Sequence, residues 1–224
     1  AREIAFDMGV YLTFMPNPID EAGGNGLHVN FSFADADGTN ALSNGPVGGP
    51  DNMNDLARGC VAGLIHHHKG LSGLLAPSAN SYERLSPGSL SGYWKNWGGD
   101  NRTVTTRVSG EGGAKARLEH RMADASANIY TAVASVLQAA RLGVENGYEL
   151  GPIETGDGFE TTDATEGVAE NLGAALDDLE ADTALSTAVG QELVDNQVFM
   201  RRAEIEKTDG MSVEDQRNFY AFYI

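Results

Sequence analysis

The chain has 224 residues, 41% hydrophobic and 21% charged, a size and balance that suit one folded domain. Its net charge of -17, from 32 acidic and 15 basic side chains, opposes binding to nucleic acid or to an anionic membrane, so an anionic ligand needs locally concentrated arginines. No apolar run approaches the roughly 20 residues that cross a bilayer, and the single cysteine, Cys60, excludes an internal disulfide framework and fits a reducing compartment.

Taken in chain order, residues 1–7 show no basic stretch followed by an apolar one, and so no secretory signal. Residues 11–15 read as a short strand closed by Pro16-Asn17-Pro18. Residues 27–33 alternate: Leu27, Val29, Phe31 and Phe33 share one face, while His28, Asn30 and Ser32 share the other. Residues 51–69 read as a helix on the spacing of Met53, Leu56, Ala57, Cys60, Val61, Leu64 and Ile65, with Gly70 just past its end. Residues 77–99 form a polar loop, long for a folded domain. Strands are predicted over 103–108 and 116–122, a helix over 128–146 stopped by Gly147, and an acidic Gly/Thr loop over 151–165. The remainder reads as three helices, the last capped by Ser212. There is no repeat of fixed period and no linker, so one domain is expected.

Arg117, Glu119 and Arg121 lie on one strand face, each arginine about 7 Å from the carboxylate at strand rise. Alone, they read first as a solvated face of alternating charge, because solvated charges are commoner than sites. Arg84, Arg102 and Arg107 lie nearby in loop or strand segments, and such a cluster in an acidic chain suits phosphate or carboxylate, which arginine holds bidentately. His28 admits three readings: metal ligand, substrate contact or half-buried histidine. With Glu119 it makes a His/carboxylate pair suited to Mg²⁺ or Mn²⁺. His66-His67-His68 cannot converge on one ion, because consecutive helix positions diverge by about 100°. They read as a positively charged last turn of the helix. Cys60 reads as a buried apolar residue.

Four segments in order resemble the glutamine synthetase family. Gly24-Asn25-Gly26-Leu27-His28-Val29-Asn30 is similar to its glycine-rich entry and histidine strand, and Asn80-Ser81-Tyr82-Glu83-Arg84-Leu85 to its NSYKRL segment. Asp100-Asn101-Arg102-Thr103 through Arg107 resembles its NRS segment and following arginine. Arg117-Leu118-Glu119-His120-Arg121, Asp124 and Asn128-Ile129-Tyr130 resemble its RIEVR, proline-aspartate and NPY run. The register holds from about Phe14 to Ala140, and the C-terminal third carries little signature.

The resemblance implies an α+β fold, a curved and largely antiparallel sheet backed by helices. It implies that residues 1–224 are the C-terminal portion of a catalytic domain whose N-terminal domain and first strands are absent. The implied activity is an ATP-dependent ligation of ammonia or another amine to the side-chain carboxylate of glutamate, through γ-glutamyl phosphate and with Mg²⁺ or Mn²⁺. The alternative is a non-catalytic family member with a structural or regulatory role. His28 and Glu119 would hold the metal. Gly24, His28, Arg84 and Arg121 would bind glutamate; Ser32, Arg102, Arg107 and Arg117 would bind ATP. Arg102 and Arg121 would act in catalysis. A cytoplasmic homo-oligomeric ring is the implied assembly of the full-length parent, and this segment alone is expected to be inactive. The sequence departs from the family at Gly23 and Asn30, where Asn and a second His are usual. It departs again at Leu90, where the flap after the Pro87-Gly88 turn usually carries glutamate; Tyr93, Trp94 and Trp97 lie close by.

Overall fold

The computed structural model describes residues 1–19, 22–157 and 162–221. At its centre is a four-stranded sheet of β1 (Val29–Phe31), β2 (Trp97–Gly99), β3 (Thr106–Val108) and β4 (Leu118–His120), in the order β1-β4-β3-β2. β4 pairs antiparallel with both β1 and β3, and β2 runs parallel to β3. The sheet is therefore mixed and largely antiparallel, within an α+β architecture.

Helices back the apolar face. Val29, Val108 and Leu118 join the buried core beneath α2 (Asp55–His66) and α5 (Ile129–Asn146). The Asn54 side chain caps α2 by accepting from the Ala57 amide. α5 starts where Asn128 accepts from the Tyr130 and Thr131 amides, and it ends at Gly147, whose left-handed φ of 63° closes the C-terminus. α2 and α5 cross backbone to backbone. A Cβ on Gly63 would lie 2.0 Å from the Ala139 carbonyl oxygen, and one on Gly143 would lie 2.1 Å from that of Gly59. Further helices complete the chain: α1 (Arg2–Asp7), α3 (His68–Leu75), α4 (Ser81–Arg84), α6 (Leu172–Ala181), α7 (Thr183–Val189), α8 (Gln191–Thr208) and α9 (Val213–Tyr220). The cap read at Ser212 forms, accepting from the Asp215 amide at 3.1 Å.

The structure corrects several expectations. Residues 11–15 are not a strand; Tyr11 is 92% exposed, and the Phe14 and Met15 carbonyls are instead bonded by the Asn25 side chain. The helix predicted over 51–69 begins at Asp55, breaks at His67 and resumes as α3, running through Gly70 to Leu75. Gly70 is a point of close packing rather than a stop, since a Cβ there would meet the Asp182 carboxylate at 2.8 Å. His67 and His68, read as part of a positively charged last turn, are instead buried at and after the break between two helices, and each meets a partner. The predicted loop 77–99 contains α4 and β2, and the strand predicted over 103–108 shortens to β3 behind a turn. Four helices, not three, follow residue 170 among the described residues, because Asp182 ends α6 and caps α7. Of the acidic loop expected over 151–165, residues 158–161 lie outside the described residues, and those on either side are irregular.

Candidate active site

The polar face of the sheet is organised around Glu119. Its backbone neighbours are Asn30 on β1 and Arg107 on β3, and directly opposed residues of antiparallel strands share a face. Glu119 is buried and carries three partners. His28 Nδ1 lies 2.8 Å from Oε1, Arg121 Nη1 3.1 Å from Oε1, and Arg107 Nη1 3.2 Å from Oε2. Arg121 Nη1 also approaches His28 Nδ1 at 3.3 Å. One nitrogen cannot both donate and accept, and the shorter contact to a carboxylate assigns Nδ1 its proton. Burial and then Arg121 pull the His28 pKa below its usual value, with Glu119 opposing them, so the imidazole is neutral near pH 7 and Nε2 keeps a lone pair.

That lone pair faces the glycine-rich loop. A Cβ on Gly26 would stand 3.5 Å from His28 Nε2 and 3.2 Å from Arg84 Nη2. A Cβ on Gly24 would collide with the Pro16 carbonyl at 2.4 Å and press on the Arg84 stem at 3.3 Å. Glycine is needed at Gly24 because the backbone runs directly over arginine. Asn25 clamps this loop. It donates to Phe14 and Met15 and accepts from the Ala125 amide at 2.9 Å. Arg84 is buried, donates to the Met122 carbonyl at 2.8 Å, and has its pKa drawn down by burial against the attraction of Asp124.

Arg102 sits on an exposed turn built by Asn101, whose Oδ1 accepts from the Thr103 amide and hydroxyl and whose Nδ2 donates to the Gly156 carbonyl. It lines a groove of about 760 Å³ together with Asp100, Glu154 and Asp157. Arg102 and Arg107 both lower the Arg121 pKa, after burial and against Glu119, so the three guanidiniums share one field. Arg107 also faces Asp100 at 3.5 Å, and Asp100 takes a left-handed φ of 45°. The sheet thus brings His28, Glu119, Arg107 and Arg121 into contact, with Arg84 beside them and Arg102 within electrostatic range. Arg117 is not part of the contact cluster: it pairs with Glu111 at 2.8 Å toward the edge of the face. Ser32 is exposed, and one further step of the β1–β4 register places it opposite Arg117.

His28 and Glu119, read from the sequence as a cation pair, are bonded to each other at 2.8 Å, and among the described residues no group of three or more His, Cys, Asp or Glu side chains gathers on one point. The segment 86–94, which includes the Pro87-Gly88 turn, closes on itself through the Trp94 indole N–H donating to the Pro87 carbonyl. It runs against the sheet at Gly92, where a Cβ would stand 3.0 Å from the Met122 backbone, and it exposes Leu90 to 42%. Sequence reasoning gave no role to Asn25, although a lone Asn between glycines was a visible signal for a loop clamp. Nothing in the sequence marked the backbone of Asp100.

The family model for the glutamine synthetase catalytic domain matches residues 1–220. The chain belongs to the glutamine synthetase family. A glutamine synthetase of Pyrococcus horikoshii is 35% identical over 84% of this chain and 43% of its own length. A protein named gamma-glutamylethanolamide synthetase GlnA4 from Streptomyces coelicolor is 38% identical over 93% of the chain and 43% of its own. Among solved structures, one titled "Apo GmaS without ligand" superposes with a TM-score of 0.82 at 31% identity, covering 97% of this chain and 49% of that one. One described as a novel glutamine synthase homolog gives 0.80 at 33%, covering 99% and 50%. This glutamine synthetase family chain therefore spans about half the length of the relatives it matches. No helix among its described residues is long and apolar enough to cross a membrane.

Proposed function

We propose that the chain is the C-terminal portion of the catalytic domain of an ATP-dependent ligase that joins an amine to the side-chain carboxylate of glutamate. The observation that carries this reading is the cluster around Glu119. Two guanidiniums, of Arg107 and Arg121, and a neutral imidazole contact one buried carboxylate, with Arg84 and Arg102 within electrostatic range of that cluster, in a chain of net charge -17. In the proposed reaction the glutamate carboxylate attacks the γ-phosphoryl of ATP and ADP leaves. The amine then adds to the acyl phosphate, loses a proton, and expels phosphate. Positioned positive charge is what phosphoryl transfer requires of a protein.

In this reading Arg84 takes the α-carboxylate from beneath the Gly24–Gly26 backbone, and Arg121 takes the side-chain carboxylate. Arg102 stabilises the transferring phosphoryl group. Arg107 meets ATP phosphates, and Arg117 and Ser32 meet the nucleotide farther along the same face. The donor types, a carboxylate and an imidazole, suit a divalent cation, but His28 Nδ1 is bonded to Glu119 and Nε2 faces Gly26, so holding one ion between them would need the His28 ring to turn. Such an ion, Mg²⁺ or Mn²⁺, would neutralise charge on the nucleotide phosphates. The reading places the remaining oxygen ligands outside these 224 residues, so the segment alone should bind nucleotide weakly and not turn over. A cytoplasmic ring of subunits is the assembly we propose for the longer protein.

For the amine, the exposed Leu90 supports a substrate with hydrophobic surface to bury, where a base for ammonium would call for a carboxylate. The relative named for a γ-glutamylethanolamide product agrees with that choice. Kinetics on the longer protein test both parts. Arg102→Ala should lower turnover by about a hundredfold, because its partner is charge that develops only in the transition state. Arg84→Ala should instead raise the glutamate KM by at least about tenfold. With ATP and glutamate saturating, ethanolamine or methylamine should exceed ammonium in kcat/KM. The reverse assignment of the two arginines contradicts their roles, and preference for ammonium contradicts the larger amine.

A further inference from the structure

The proposed reaction leaves the buried histidines unused, and one of them is placed to act on it. His68, at the start of α3, has no exposed surface, and its Nε2 lies 3.0 Å from the Tyr93 carbonyl oxygen. A carbonyl can only accept, so Nε2 carries the proton. Burial holds the ring neutral, with a pKa of about 4. Tyr93 lies at the root of segment 86–94. Its carbonyl also accepts from the Val168 amide at 3.0 Å, and its ring lies so close over Gly167 that a Cβ there would be 2.3 Å away. Through Trp94 and the Pro87 carbonyl, the same root fixes the other end of the loop. His120 of β4 lies within electrostatic range of His68, between Glu119 and Arg121 in sequence but facing the opposite side of the sheet. It is fully buried, with Nδ1 3.1 Å from the Thr106 hydroxyl. The histidine at the flap root and the one on the strand that bears the site thus lie within electrostatic range of each other.

We propose that His68 is a positioning residue: its hydrogen bond to the Tyr93 carbonyl fixes the root of segment 86–94 over the sheet and so sets where the amine approaches. The part concerning the amine rests on the ligase reading; the tether itself does not. Hydrogen exchange on this chain tests the tether. His68→Leu should speed exchange of amides in 87–96 by roughly tenfold, the worth of one buried hydrogen bond, while the amides of α5 keep their protection. His68→Gln, whose amide N–H reaches the same carbonyl, should restore the wild-type rates. Unchanged exchange in His68→Leu, or failure of Gln to restore it, overturns the tether. Should His68→Leu unfold throughout, the ¹⁵N imidazole spectrum of the wild-type chain decides: a slowly exchanging proton on Nε2 supports the tether, and one on Nδ1 overturns it. In the longer protein His68→Leu should raise the amine KM severalfold and leave the glutamate KM unchanged, with Gln rescuing; equal changes in both constants overturn the positioning role. Absence of ligase activity in the wild type would refute the ligase reading and leave the exchange test standing.

Discussion

Acid should weaken this fold by a calculable amount through two buried histidines. His68 and His120 are held neutral by burial, with pKa values of about 4 and about 3 against an ordinary 6.5. A depressed base binds fewer protons folded than unfolded. Its contribution is therefore complete above the unfolded value and is lost as pH falls below 6.5. At pH 5 both rings remain neutral in the native state, while the unfolded chain protonates both. Each then costs about 2 kcal/mol, about 4 kcal/mol together. The Asp124 carboxyl, raised by burial, acts in the opposite sense, so the comparison must isolate the histidines. Urea unfolding followed by the fluorescence of Trp94 and Trp97 reports it. Between pH 8 and pH 5 the wild type should lose about 4 kcal/mol more than a His68→Gln/His120→Gln variant, a midpoint difference of about 1.3 M at an m-value of about 3 kcal/mol/M. Equal losses in the two proteins would refute the reasoning.

Two further outcomes follow from the packing and the charges. Gly63→Ala places a methyl group 2.0 Å from the Ala139 carbonyl and should force α2 and α5 apart, costing about 3 kcal/mol and lowering Tm by about 6–12 °C; calorimetry within 2 °C of wild type would show that the crossing yields freely. Glu119 raises the His28 pKa and Arg121 lowers it, so Glu119→Gln should move the His28 titration further down and Arg121→Ala should move it up; an NMR titration giving the opposite order would contradict the geometry of the cluster.

The polar face was legible in the sequence because strand parity is strict. His28, Asn30, Glu119 and Arg121 fall on one side of any strand that runs through them, and the register of β1 on β4 follows that pattern. Helix α5 was legible because its cap at Asn128 and its stop at Gly147 bracket one apolar pattern. The fate of the histidine run was not legible. A helix extended from 51 to 69 puts His67 and His68 near its solvated end, whereas the break at His67 buries both against Asp182 and Tyr93, 115 and 25 residues away along the chain. Residues 11–15 have strand composition, but the neighbour they meet is a side chain, Asn25, rather than a ladder. Likewise β2 exists because its parallel partner β3 lies beside it, a long-range pairing that its Trp-Gly-Gly sequence does not announce.

Oxygen transfer tests the ligase reading most directly. If the side-chain carboxylate of glutamate is activated as an acyl phosphate, one of its oxygens must leave with the phosphate when the amine takes its place. The longer protein, given ATP, Mg²⁺, an amine and glutamate labelled with ¹⁸O in the side-chain carboxylate, should release phosphate that carries one labelled oxygen, and Arg102→Ala should slow the appearance of labelled phosphate and of amide alike. Amide formed with unlabelled phosphate, or ATP cleaved to phosphate with no amide from any amine supplied, would contradict the account.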